Sequence, residues 1–109
     1  MTRTQLIKLI GDALTRMDVL RGSLMPSDPN RKSLDTARKE LDRMQLKLSK
    51  KVFDDSTEVF KRASEELEAI NDDLKETIRD LKKIVETMTN INRFLGAVDG
   101  ILKAVLPLL

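Results

Sequence analysis

Apolar residues return along this chain at alternating steps of three and four, the spacing of one face of an α-helix. Leu6, Ile10, Ala13, Met17, Leu20 and Leu24 form the first such stripe and predict a helix over about 4–24. The segment "MPSDPN" stops it. Pro26 and Pro29 have no N–H to donate, and each disfavours helical geometry in the residue before it, so a turn is expected over 25–32. Leu34, Ala37, Leu41, Met44 and Leu48 mark a second helix, about 33–52, whose end carries Lys47, Lys50 and Lys51, the charge that a helix C-terminus favours.

A third helix is expected from about 56, where Asp55 and Glu58 have the spacing of an N-cap and its reciprocal partner and the phase of the stripe jumps. From there Phe60, Ala63, Leu67, Ile70, Leu74, Thr77, Leu81, Ile84, Met88, Ile91, Leu95, Val98, Leu102, Val105 and Leu109 keep heptad spacing without a slip. The stripe crosses Asn90 and Asn92 unchanged and predicts one long helix over about 56–106, with Pro107 fraying its last turn. The expected fold is all-α, a single domain 1–109: an antiparallel, coiled-coil-like bundle of three helices, or four if the chain bends at 90–92, with a long C-terminal heptad helix.

Length gives that helix a consequence. The first two helices span about 30 Å each and the third about 75 Å, so its far half has no neighbour within the chain. The apolar face widens there, as Ile78 and Val85 join one flank and Phe94, Ile101 and Leu108 the other. Each large apolar side chain left in water forgoes roughly 1.5–3 kcal/mol. The expected interface is therefore Ile91, Phe94, Leu95, Val98, Ile101, Leu102, Val105 and Leu106, with the small residues Gly96, Gly100 and Ala104 on the opposite side, where a second backbone has room to approach. Its expected partner is another copy, as a dimer or higher homo-oligomer, or a helical partner protein.

Charge adds an expectation about packing. Residues 31–53 carry eight basic and three acidic side chains, whereas residues 54–90 carry six basic and eleven acidic ones. Lys39, Arg43 and Lys47 form one i, i+4 row, and Glu68, Asp72, Glu76 and Asp80 another. Each row repels itself, so the second helix is expected to lie against the third, where the signs compensate.

Composition narrows the chemistry. The chain contains no cysteine and no histidine, which removes thiol chemistry, the commonest general base and the commonest transition-metal ligand. The glycines are scattered rather than gathered in a phosphate-binding loop. Asp54, Asp55 and Glu58, and Asp72, Asp73 and Glu76, fall on a helix cap and on polar helix positions, and read as solvated acids rather than metal ligands. No catalytic residue, cofactor or metal is expected.

Two other readings stand beside assembly. In the first, residues 91–109 dock into a membrane interface; a full span is disfavoured by Asn92, Arg93, Asp99, Lys103 and Pro107. In the second, Lys39, Arg43 and Lys47 contact nucleic acid, against which stand a net charge of only +2 and no aromatic residue among the bases. The N-terminal stretch has charges at Lys8, Asp12 and Arg16 instead of an apolar leader, so a cytoplasmic protein is expected, with peripheral membrane attachment under the docking alternative. Helix, "PSDP", helix resembles the hairpin of type III secretion needle subunits over Pro26 to Pro29 and a few apolar positions around it. Needle subunits are shorter and lack the apolar extension, so no function follows from the likeness.

Overall fold

The structure, a computed structural model, describes residues 2–50 and 58–104. Four α-helices account for nearly all of them: α1 (Arg3–Gly22), α2 (Pro29–Ser49), α3 (Glu58–Arg79) and α4 (Ile84–Ala104), with one 3₁₀ turn (Leu81–Lys83) between the last two. The described residues contain no strand.

Local chemistry sets the ends. Thr2 and Gln5 form a reciprocal cap on α1: the Gln5 N–H donates to Thr2 Oγ1 at 3.2 Å, and the Thr2 N–H donates to Gln5 Oε1 at 2.8 Å. The second helix begins earlier than its prolines suggest. Pro29 sits at the first helical position, where its missing N–H is not needed, and Asp28 Oδ1 accepts from the Asn30 N–H at 2.8 Å. Asp55, the expected cap of the third helix, lies outside the described residues.

The single long helix is corrected. At Asp80 the backbone leaves helical geometry (φ −142°, ψ 95°), and its side chain accepts from the Lys82 N–H at 3.2 Å. A short acidic side chain bonding to backbone ahead of it offers the chain an alternative to the helical ladder. After the 3₁₀ turn the chain reverses and α4 returns along α3. A continuous helix of about 75 Å would exceed the longest dimension of the molecule, 45 Å. Reversal interrupts a few backbone hydrogen bonds, each worth about 1 kcal/mol net. In return it buries Ile84, Met88, Ile91, Phe94 and Val98 in the chain's own core, at roughly 1.5–3 kcal/mol apiece.

Cross-helix bonds give the directions. Between α1 and α2 they join Arg3 to Leu48 and Ser49, Ile7 to Gln45, Asp18 to Arg38 and Arg21 to Asp35. Between α3 and α4 they join Asp73 to Asn90 and Thr77 to Thr87, and Glu76 on α3 accepts from Lys83 in the 3₁₀ turn. Numbers rise on one helix as they fall on the other, so α1 and α2 run in opposite senses, as do α3 and α4. Gly11 belongs to this packing: a Cβ there would meet Gln45 Nε2 at 3.3 Å, the atom that donates to the Ile7 carbonyl.

The four helices form a closed ring around one core. Among the described residues, α1 packs on α2 and α3, and α4 packs on α2 and α3; neither diagonal pair, α1 with α4 or α2 with α3, is in contact. The expected packing of the second helix on the third is thereby corrected. The core joins Leu6, Leu20, Leu41, Phe60, Leu74 and Phe94 from all four helices. Two polar connections cross it. Arg16 Nη1 donates to Oδ1 of buried Asn71 at 2.6 Å, and Asn71 Nδ2 donates to the Leu9 carbonyl at 3.3 Å, which ties α1 to α3. The buried hydroxyls of Thr77 and Thr87 bond to each other between α3 and α4.

Candidate interaction surface

The residues expected to form an interface have divided fates. Ile91, Phe94 and Val98 are buried in the core that α4 shares with α2 and α3. Leu95 and Leu102 are half-buried against the same core. Gly96 is exposed and Gly100 half-buried; a Cβ on Gly96 would meet nothing within 4 Å inside the chain. Ile101 and Ala104 lie in the last turns of α4 without described side chains, and Val105 and Leu106 lie outside the described residues. The chain itself fully covers three of these residues, Ile91, Phe94 and Val98.

What stays open includes single apolar side chains, Val19, Met25, Leu46, Leu81 and Val85, and much charge. Consider α2 first. Its three acids already have partners: Asp35 pairs with Arg21, Asp42 with Arg38 at 3.9 Å and Glu40 with Arg43. Arg38 also donates to Asp18 through two nitrogens, at 2.9 and 3.2 Å, and that bonding raises its pKa further above the ordinary arginine value. The hydrogen bond to Glu40 does the same for Arg43. Lys32, Lys39, Lys47 and Lys50 are exposed and have no carboxylate within 4 Å among the described residues.

The opposite holds for α3. Of its seven acids Glu76 is the one in an ion pair among the described residues, with Lys83 Nζ at 2.9 Å. That hydrogen bond holds the Glu76 carboxyl below its ordinary pKa and lifts the Lys83 ammonium above its own, fastening the turn into α4. Asp73 accepts from Asn90 Nδ2 at 2.7 Å. Glu58, Glu65 and Asp72 are exposed without an ion pair among the described residues. The acids singled out as possible ligands are not gathered: no group of three or more candidate metal ligands forms among the described residues, and Asp54 and Asp55 lie outside them.

This arrangement was hidden in the sequence because opposite rows on two helices invite the assumption that they touch. The ring order places α2 and α3 on a diagonal instead, so their outer faces point in opposite directions. No helix among the described residues is long and apolar enough to cross a membrane. The grooves between neighbouring helices are open and mixed in character, one lined by Gln5, Lys8, Leu9, Asp12 and Glu68, another by Lys32, Thr36, Glu40, Met88, Asn92 and Leu95. No known protein family, curated protein or solved structure matches this chain.

Proposed function

We propose that this chain is a non-enzymatic helical interaction protein, an antiparallel four-helix bundle whose outer faces bind another protein, either a copy of itself or a helical partner. The observation that supports this reading is the uncompensated charge on its two diagonal helices. Along each helix these like charges repel their neighbours, and among the described residues Lys32, Lys39, Lys47 and Lys50 on α2 and Glu58, Glu65 and Asp72 on α3 have no ion-pair partner. A protein partner with the complementary pattern relieves both. The C-terminal helix contributes only the face its own core leaves open, around Gly96 and Gly100.

The test is site-specific photo-crosslinking in the source cells, with a benzophenone side chain placed at Lys39, Asp72 or Gly96 in turn. Adducts to protein at position 39 or 72 are expected. Adducts only to lipid at 96, only to nucleic acid at 39, or none at any position would overturn the reading.

A further inference from the structure

We propose that the partner is a second copy of this chain, docked edge to edge: the basic outer row of α2 on one copy against the acidic outer row of α3 on the next. The inference rests on the interaction reading above and names the occupant of the two faces. The basic row is Lys32, Lys39, Arg43, Lys47 and Lys50, all exposed; Arg43 is already paired with Glu40, and the four lysines have no carboxylate within 4 Å among the described residues. The acidic row is Glu58, Glu65, Asp72 and Glu76, all exposed, flanked by the exposed bases Lys61, Arg62 and Arg79, with Glu76 already paired with Lys83.

Three features match the rows to each other. First, their lengths agree: Lys32 to Lys50 and Glu58 to Glu76 each cover eighteen steps, about 27 Å of helix. Second, charges recur at steps of seven, four, four and three on the basic row and of seven, seven and four on the acidic row, so each row keeps to one side of its helix. Third, the chain's net charge is only +2, so copies meet with little overall repulsion while each carries opposite signs on opposite edges.

Geometry then sets the mode of assembly. The two edges are different surfaces and lie on a diagonal of the helix ring, so a copy that uses one edge leaves the other free. Contact is head to tail and extends from copy to copy rather than stopping at a twofold dimer. Exposed ion pairs are individually weak and salt screens them, so the association belongs to low ionic strength and high protein concentration.

Two measurements test this. In sedimentation experiments on the full chain, the weight-average mass is expected to rise about twofold or more above 12.4 kDa in about 0.01 M salt, and to return to it in about 1 M salt. The double variant Lys39→Glu/Lys47→Glu and the double variant Glu65→Lys/Asp72→Lys should each lose the rise, and the chain carrying all four changes should regain it. A mass equal to one chain at low salt would overturn the proposal, as would association unaffected by either double variant. For edge identity, Leu46→Cys and Ala69→Cys chains are mixed under mild oxidation. Both residues are exposed, and the chain has no cysteine of its own. A dominant 46–69 disulfide is expected; dominant 46–46 or 69–69 products would overturn the pairing. Duplex DNA bound through the α2 lysines without self-association would also overturn it. If self-association fails while the cellular crosslinks at 39 and 72 still reach protein, only the identity of the partner is lost. If both fail, the interaction reading fails with it.

Discussion

At the scale of single residues, the α3–α4 turn depends on a charged hydrogen bond whose response to pH has a definite sign. The Glu76 carboxyl titrates below its ordinary range in the folded chain because Lys83 donates to it. Its contribution is present above the unfolded-state pKa and disappears as pH falls through the lower folded value. For Lys83, raised in the folded state, the contribution is present below the unfolded value and disappears as pH rises through the folded one. The clamp therefore works between the two titrations, and because both side chains are exposed its effect on stability is small. Carboxyl NMR titration should show the Glu76 midpoint moving up toward the ordinary glutamate value in Lys83→Ala; an unmoved midpoint would show that Lys83 is not its cause. A second residue-scale prediction concerns Gly96. Since a Cβ there meets nothing inside the chain, Gly96→Ala should raise unfolding free energy by up to about 1 kcal/mol through helix propensity alone. Denaturant melts check this, and a loss of stability would place another group against that face.

At the scale of elements, Thr77 and Thr87 show how a polar entry sits in an apolar seam. Both hydroxyls are buried and bond to each other across the α3–α4 pair. Replacing either alone by valine deprives the other of this partner and should cost about 1–3 kcal/mol, while Thr77→Val/Thr87→Val should cost clearly less than the sum of the two. Additive losses in the double-mutant cycle would remove the pair from the account of the seam. The sequence showed which face of each helix is apolar and missed where the last one turns, for a physical reason. A heptad stripe records rotation about an axis, not the direction of that axis. The reversal uses Asp80 and the 3₁₀ turn, one helical turn's worth of chain, so the stripe resumes at Ile84, seven residues after Thr77, as though nothing had happened. Leu81 alone betrays it: it holds a seam position in the sequence and is 39% exposed in the structure. Asp80 was legible only as one acid in a charged row, with neither glycine nor proline beside it to mark a stop.

At the scale of the whole molecule, folding back changes what the apolar C-terminal half is for. As part of a protruding helix, Ile91, Phe94 and Val98 would require a partner chain; as part of α4 they complete the fourth side of a closed core. Under the proposed reading the surface offered to other molecules is charged, and the candidate site moves from the C-terminal stripe to the outer faces of α2 and α3. The two charged rows could be read from spacing, but their separation onto a diagonal could not, because it follows from ring order and ring order follows from the reversal at Asp80. That reversal is measured most directly by pulsed electron spin resonance on the otherwise cysteine-free chain, with nitroxide labels on Glu65→Cys and Gly96→Cys. Neighbouring helix axes lie about 8–10 Å apart, and a folded-back α4 places these positions side by side, so a label separation below about 30 Å is expected. A distribution centred near 45 Å, which is about 1.5 Å for each of the intervening residues of an unbroken helix, would contradict it.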